Sequence, residues 1–553
     1  MADFDETFDW VVIGSGAGSF ASALVMRKAG KSAVILEKTG LVGGTTAKSG
    51  GVIWVPNNRF IRAAEPDETP EKALTYLQAV CGDLPGSTPA KRAAYVSEAP
   101  MMIDFLIDHG VALERGSKFW PDYYDDAPGG CNTSRIVTAK PFNLKELGAW
   151  RKNLRPGFLD GFNARLDDGM RVGLKHKSWR LKLLYLKLVA QTALGRALGK
   201  YHTTAGAALQ GRMLQAALKA GVEVRTDSAV SELIVEQNRV VGVATPHGTI
   251  AARIGVLVNA GGFAQNQAMR DQHMPGTRAE WSNTPEGDTG DLHTEMARIG
   301  AQMAQMDQMV GYQLTQMPGW DKGYVRPPAQ SITGKPHCIL VDQSGVRYMN
   351  EAGSYELYCQ NMLERNKSVP AVPSWAVFDA HYAGDYPVGG VRIEKYYQMW
   401  RDTGYLKQAD TVDGLAAQIG CAPESLRATI DRWNSFVDAG VDADFNRGAR
   451  RYDQWLGDPF HGPNPALGRI DRAPFYAVDV VPGDVSTYGG AVTDADARVL
   501  RADGSVIEGL YACGVSSASV FGGVYPGAGA SIGPSLTFGY IAAKHAAGVG
   551  NSA

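Results

Sequence analysis

The sequence predicts an α/β fold with a Rossmann-like nucleotide-binding unit at its centre, and three observations carry that expectation. Phe8 to Ile13 is a short, mainly apolar run, typical of a buried parallel strand. Gly14-Ser15-Gly16-Ala17-Gly18 follows at once as a glycine turn, and Ser19 to Ala29 then has helical character. At the far end, Gly522-Gly523-Val524-Tyr525-Pro526-Gly527-Ala528-Gly529 sets a phenol in a second glycine-rich loop that leads into another predicted helix.

With 553 residues the chain is too long for one core, so two or three domains are expected. A formal net charge of −2 gives no reason to expect nucleic acid as a partner. The six cysteines, Cys81, Cys131, Cys338, Cys359, Cys421 and Cys513, are scattered without a close-spaced pair. They read as reduced thiols, and neither a disulfide framework nor a metal site is expected. Met1 to Glu6 is acidic and lacks a signal-peptide core, and no apolar run approaches the ~20 residues of a membrane span. A cytoplasmic protein is the expectation.

The N-terminal elements explain themselves in order. Gly16 has no side chain, so the backbone can approach a pyrophosphate at the helix N-terminus. Ser19 stands where the fingerprint places its third glycine, with Gly18 beside it, and is small enough for helix–strand packing. Ser32 to Leu36 forms a second apolar run ending in Glu37, 23 residues after Gly14. That spacing is close to the ~20 residues expected for an acid that bonds a ribose hydroxyl. Leu41 to Gly51 is a further small-residue loop. A pyridine-nucleotide domain does not usually carry one there, whereas its amides and hydroxyls would suit a second phosphate and a flavin edge.

With these residues in place, the chain resembles the FAD-dependent fumarate reductase and 3-ketosteroid dehydrogenase superfamily, and within it the 3-ketosteroid Δ1-dehydrogenases. The resemblance runs from about Asp9 to Ala547, except near 145–205. It implies a Rossmann-like FAD-binding domain built from discontinuous segments, 1–292 and 483–553, with an inserted α+β substrate domain at 293–482. A helix is expected over Gly206 to Ala220, and a hairpin over Val230–Val235 and Val240–Ala244. Ile254 to Phe263 resembles the strand and Ala-Gly-Gly turn beneath the flavin, and Leu510 to Ala512 the last strand of that domain. After Gly514, many flavoproteins place an Asp on the ribityl chain; here Val515 stands there, so Ser516, Ser517 or backbone groups must substitute.

The resemblance assigns cofactor contacts to Gly14, Gly16, Ala17, Gly18, Glu37 and Lys38 from the first motif. Gly43, Gly44, Thr45, Thr46, Ser49, Gly50 and Gly51 follow from the second. Val230, Ala260, Gly261, Gly514, Ser531 and Ile532 complete the set. Pro534 belongs in the first turn of the last helix, whose positive end would favour the negative charge of a reduced flavin. No His lies between Gly43 and Gly51, where covalently flavinylated relatives carry one, so non-covalent FAD is expected.

Three segments match the family where its chemistry lies: Trp120 to Tyr124, Arg347 to Tyr355, and Val524 to Gly529. By resemblance, Tyr525 O–H and Gly529 N–H polarise the C3 ketone of a 3-ketosteroid. Tyr355 takes the C2 proton, and Tyr123 supports it, with Tyr124 adjacent as an alternative. Two donors on one oxygen make an oxyanion-hole arrangement, which acidifies C2. The reaction implied is C1–C2 desaturation of ring A in steroid degradation, with a quinone or dye-type electron acceptor. A Δ4-(5α)-dehydrogenase, a fumarate-reductase-like enzyme and a steroid- or flavin-binding carrier are the alternatives. The fumarate reading needs Arg and His clamps where this chain has phenols and glycine. Met303, Met306 and Met309 read as a helical stripe, and Trp320, Trp375 and Phe378 as either core or pocket lining.

The 145–205 stretch is unlike the family pattern. From Gly169 through Val222 there is no Asp or Glu, and Trp179, Leu183, Leu186, Ala190, Leu194 and Leu198 recur at helical spacing among Lys and Arg. This predicts a basic amphipathic helix, lying either in a membrane interface, at the inner face of the cell membrane, or on a protein surface. The oligomeric state is left open.

Overall fold

The computed structural model describes residues 3–116, 120–157, 159–321 and 323–549. The nucleotide-binding unit is built on strands β1 (Glu6–Ile13), β2 (Ala33–Leu36), β3 (Glu223–Arg225), β4 (Glu232–Glu236), β5 (Arg239–Thr245), β6 (Gly248–Val258), β7 (Arg498–Leu500) and β8 (Val506–Ala512). Helices α1 (Ala17–Lys28), α2 (Ala205–Lys219) and α3 (Ile532–Ala546) pack on it. β1 lies between β6 and β2, β3 pairs with β2, and β8 pairs with β6, all in parallel. The β4–β5 hairpin runs antiparallel off β6, as the alternating runs predict. Trp10, Val11, Val12, Val34, Ile35, Val256 and Leu257 have no exposed surface, which is the burial on both faces that continuous apolar strands announce.

Glycine decides how tightly the helices approach. A Cβ on Gly18 would overlap the Ser535 carbonyl, and one on Gly539 would overlap the Gly18 carbonyl, so α1 and α3 cross backbone to backbone. Ser19, in the third-glycine position, is fully buried and its Oγ accepts from Asn259 Nδ2 at 3.0 Å. The close approach therefore uses Gly18, and Ser19 serves as a polar tie to the end of β6.

Between β6 and β7 the chain builds a separate antiparallel sheet. Its strands run in the order Cys338–Val341, Ser374–Phe378, Phe475–Val480, Lys407–Ala409, each with its own buried side chains. Phe378 is fully buried beside Tyr382 and Tyr476 and is core, whereas Trp375 is half-buried against the opposite face. Two short ribbons, Met303–Ala304 with Gly490–Ala491 and Met309–Gly311 with Asp484–Thr487, lie where this unit returns to the first. The methionine spacing predicts a helix here, and the structure corrects that: Met303 and Met309 lie on strands, and Met306 sits in the turn between them. All six cysteines are free and buried.

The 145–205 insertion is helical, with Leu166–Arg171 and Trp179–Ala197 as its α-helices. Leu181 and Leu188 point inward. Trp179, Leu183, Leu186, Leu194 and Leu198 face out, with 60–77% of their surface exposed. Lys177 fixes the insertion to the second unit through Asp458 at 2.6 Å and Asp385 at 2.8 Å. No helix among the described residues is long and apolar enough to cross a membrane.

Replacing Gly18 by Ala forces the α1–α3 crossing apart. The expected loss is about 1–3 kcal/mol, the usual cost of overpacking, seen as a lower urea midpoint of the flavin-loaded protein. An unchanged midpoint would show that the crossing has slack.

Candidate active site

Two groups of residues lie near the last glycine-rich loop: one at the ends of β1, β2 and β6, and a group of phenols. In the first set Gly14 takes a positive φ of 90°, and its amide donates to Leu36 O at 2.8 Å. A Cβ at Gly16 would lie 2.8 Å from Asn259 Nδ2, so a side chain there would have to displace the Asn259 amide. α1 begins at Ala17 without a cap from its own N-cap side chain, although Gly18 N donates to Ser535 Oγ at 3.2 Å, and its positive end lies at this turn. Glu37 is buried at the end of β2; it accepts from Thr39 N at 2.9 Å, from Thr39 Oγ1 at 3.0 Å and from Ser15 Oγ.

Not every predicted contact falls into this group. The Lys38 side chain turns outward to Asp291 and Thr289, each at 2.7 Å, leaving only its backbone near the site. Leu41 to Gly51, expected as a loop, contains the short helix Gly44–Lys48, which carries Thr45 and Thr46. Gly43 precedes it with φ 113° and donates to Ser15 Oγ at 2.8 Å. Ser49 Oγ closes the helix by donating to Thr46 O and accepting from Gly51 N; Gly50 lies between them, and a Cβ at Gly51 would meet the start of α2 at 2.5 Å. Val230 is buried in the core below β4. Ala260 N donates to Ser516 Oγ, which in turn donates to Gly261 O, both at 2.9 Å, and Ser517 Oγ donates to Gly514 O at 2.9 Å. The protons of both hydroxyls expected to replace the missing Asp are thus committed to shaping turns, while their oxygens keep lone pairs with which to accept. Ser531 and Ile532 open α3, again without a side-chain cap.

This donor set fits a dinucleotide such as FAD. Two helix starts without a cap from their own N-cap side chains, a side-chain-free turn and a buried carboxylate converge, and a further group gives the same indication. Gln210 on α2 is fully buried beside Gly43, yet neither end of its amide has a partner among the described residues. An orphaned buried amide of this kind costs about 1–3 kcal/mol unless something binds it. Lys48 is buried in the same wall, and burial, then the Arg155 charge, pulls its pKa down to about 8. Lys48 falls within the Leu41–Gly51 stretch, whereas Gln210 belongs to no glycine motif and nothing in the sequence singles it out.

The phenols form one cluster. The Tyr123, Tyr355 and Tyr525 rings lie 5.2–5.7 Å apart, centre to centre. Tyr123, not Tyr124, faces Tyr355; the Tyr124 hydroxyl instead donates to Glu356 Oε2 at 3.2 Å. Burial raises the pKa of Tyr355 and of Tyr123 well above the free phenol, and for Tyr355 the neighbouring Tyr123 and Tyr525 add to the rise. Tyr525 OH lies 3.1 Å from Ser531 Oγ. Gly529 has φ 92°, and its N–H makes no hydrogen bond among the described residues. Two residues that the sequence does not mark join the group: Tyr452, whose ring is 4.5 Å from Tyr123, and Tyr312, 5.5 Å from Tyr355.

Each phenol is held from behind. Tyr123 N donates to Pro526 O at 3.0 Å, and Tyr76 OH to the same oxygen at 2.6 Å, which fastens the Trp120–Tyr124 segment to the Tyr525 loop. The preceding residue, Asp122, is buried and accepts from Trp54 Nε1 at 2.8 Å and from Arg135 Nη1 at 2.7 Å. Arg135 also grips Glu68 with two nitrogens, at 2.8 and 3.0 Å. Tyr355 opens the helix Tyr355–Asn366, and Gln360 in its second turn donates to Gly523 O at 3.0 Å.

The FAD binding domain family matches residues 9–532. A 3-oxosteroid 1-dehydrogenase of Mycobacterium tuberculosis is 37% identical, over 98% of this chain and 98% of its own. A 4-oxocyclohexanecarboxylate 2-dehydrogenase of Sinomonas cyclohexanicum is 32% identical, over 98% and 93%. The crystal structure of the 3-ketosteroid Δ1-dehydrogenase of Sterolibacterium denitrificans, in complex with 1,4-androstadiene-3,17-dione, superposes with a TM-score of 0.91 at 32% identity, covering 99% of this chain and 100% of that one.

Replacing Arg135 by Met leaves Asp122 and Glu68 as uncompensated buried carboxylates. A loss of about 3–5 kcal/mol in unfolding free energy is expected, measured by urea titration. A loss within 1 kcal/mol would remove Arg135 as the anchor of the Tyr123 segment.

Proposed function

The chain belongs to the FAD-dependent 3-ketosteroid Δ1-dehydrogenases of the FAD binding domain family, and we propose how its tyrosines divide the work. Its substrate is a 3-ketosteroid and its reaction is C1–C2 desaturation of ring A. FAD, when bound, supplies the hydride acceptor for C1. Gly14, Gly16, Ala17, Glu37, Gln210, Ser531 and Ile532 are the residues that would hold it.

Tyr525 O–H and Gly529 N–H take the ketone oxygen. The observation that carries this is the open Gly529 N–H, four residues from Tyr525 in a loop that brings that phenol against Tyr123 and Tyr355. Polarising C3 acidifies the hydrogen on C2, which leaves as a proton to the Tyr355 oxygen while the C1–C2 double bond forms. A buried phenol is a poor base alone, because burial holds its pKa high. Tyr355 therefore passes its own proton to Tyr123 as it accepts the one from C2, Tyr123 passes its own to Tyr452, and the last phenol releases one proton to solvent before the next turnover. Water is kept out by the packing, as Tyr123 and Tyr525 keep only 3% and 4% of their surface.

Anaerobic mixing with 4-androstene-3,17-dione tests this directly. Flavin absorbance should bleach and the product should carry a C1–C2 double bond. Tyr525→Phe should slow bleaching by about 10²–10³, the usual cost of one oxyanion donor, and Tyr355→Phe by at least as much. Full-rate bleaching in both variants would overturn the assignment. A 4-oxocyclohexanecarboxylate offered in parallel checks the second chemistry seen among the relatives.

The insertion suits a lipid surface. Trp179, Leu183, Leu186, Leu194 and Leu198 stand exposed on one face, and no acidic residue lies between 169 and 222 to oppose an anionic headgroup. Attachment there brings the enzyme to a substrate class that partitions into lipid and to a quinone acceptor. Vesicles with anionic lipid should sediment the protein at low salt, and serine at Leu183, Leu186 and Leu194 should abolish this. Sedimentation unaffected by those changes, or a dimer that they dissolve, would assign the face to another role.

A further inference from the structure

Glu356 touches the segments that carry all three tyrosines. It is the second residue of the helix that Tyr355 begins, and only 1% of its surface is exposed. Its Oε2 accepts from Tyr124 OH at 3.2 Å and from Ser354 Oγ at 3.3 Å, and the Tyr525 backbone N–H faces the same carboxylate and favours its charge. Tyr124 follows Tyr123, Ser354 precedes Tyr355, and Tyr525 is itself the third phenol. One acid group thus binds three stretches of chain that are far apart in sequence and that meet only at the site.

Resting on the tyrosine roles above, we propose that Glu356 is a positioning residue whose ionised carboxylate sets Tyr123, Tyr355 and Tyr525 in register for the reaction. All three neighbours approach as donors. A carboxylate accepts through both oxygens, whereas protonation turns one oxygen into a donor and weakens what that oxygen can accept. The hydroxyls of Tyr124 and Ser354 can turn to accept, but the Tyr525 amide cannot, so the Tyr525 loop is the contact that protonation puts at risk.

Solvent reaches this switch. A cavity of about 410 Å³ has Tyr124, Glu356, Gln360, Arg450 and Val524 in its wall. Burial pushes the Glu356 pKa up to about 7, against the pull of the Tyr124, Ser354 and Tyr525 donors. The other titratable or charged groups facing it are Tyr488, Cys81 and Cys359, with the Arg450 guanidinium 6.0 Å from the Tyr124 ring. The sign follows. An unfolded Glu is ionised well below pH 7, so the folded protein binds the extra proton as pH falls through about 7. Acidification through that range stabilises the fold through Glu356, while it loosens the tyrosine register. Activity and stability therefore move in opposite directions.

Steady-state 1-dehydrogenation by the holoenzyme, with 4-androstene-3,17-dione and a dye acceptor from about pH 5.5 to 9, tests the idea. Wild type should show an acid limb in kcat near pH 7 while its thermal midpoint does not fall over the same interval. Glu356→Gln should remove that limb and lower kcat about tenfold, as expected for one lost positioning bond, with KM within a factor of about two. Glu356→Asp should keep the limb and recover part of the rate, and Tyr124→Phe should keep the limb at reduced kcat. A Glu356→Gln enzyme with the wild-type limb and rate would overturn the proposal. If Glu356→Gln does not fold, the limb in Glu356→Asp and Tyr124→Phe decides: its loss in both would also overturn it. Tyr525→Phe, assayed alongside, separates the two readings, because an undiminished rate there would reject the tyrosine roles themselves.

Discussion

Where the last glycine-rich loop crosses Val52 to Trp54, backbone lies on backbone, and the site depends on nothing standing between them. A Cβ at Gly529 would overlap the Val52 carbonyl, one at Gly527 would lie 2.5 Å from the Trp54 indole, and one at Gly533 would lie 2.5 Å from the Trp54 carbonyl. The loop is pressed between the flavin-binding unit and the aromatic layer of Trp54, Tyr76 and Tyr95. The same loop carries Tyr525 and Gly529 and leads straight into α3, which starts without a side-chain cap. The segments that carry the other tyrosines are tied to this loop through Pro526 O and Gly523 O.

What could be read from the sequence was what is local. The β1 turn, Glu37 and the 522–535 loop announce themselves because each is a continuous stretch whose residue types have few other uses. The three tyrosines are legible only through their family segments, since nothing in a lone Tyr among 22 distinguishes base from core. Tyr452, Gln210 and Glu356 carry no local signature at all; their importance lies in partners tens to hundreds of residues away. The methionine stripe failed for a definable reason. A spacing of three suits a helix, but Met303 and Met309 fall on separate strands whose partners, Gly490–Ala491 and Asp484–Thr487, are invisible to local periodicity.

The insertion shows the opposite case, where pattern was informative and context supplied the direction. Its apolar stripe is as regular as that of an internal helix. Packing uses Leu181 and Leu188, on the other face, and the Lys177 pairs with Asp385 and Asp458 set its orientation. The charges that make the segment look foreign to the core are thus also what hold it to the body of the enzyme.

The order of strands in the central sheet has a consequence for how the protein is made. β1 and β6 are neighbours, and β5 pairs with the first part of β6 on its other side, but Val256–Val258 at its end are paired there only by β8, roughly 250 residues later. At a synthesis rate of about 5–20 residues per second, that end waits roughly 12 to 50 seconds for its partner. A half-paired apolar edge of this kind is a template for other chains. The second unit has no such delay, because all four strands of its sheet lie between Cys338 and Val480 and can pair before β8 exists. The nascent chain thus finishes its later-made body first, and the half that grips the nucleotide remains open until almost the last residue has left the ribosome.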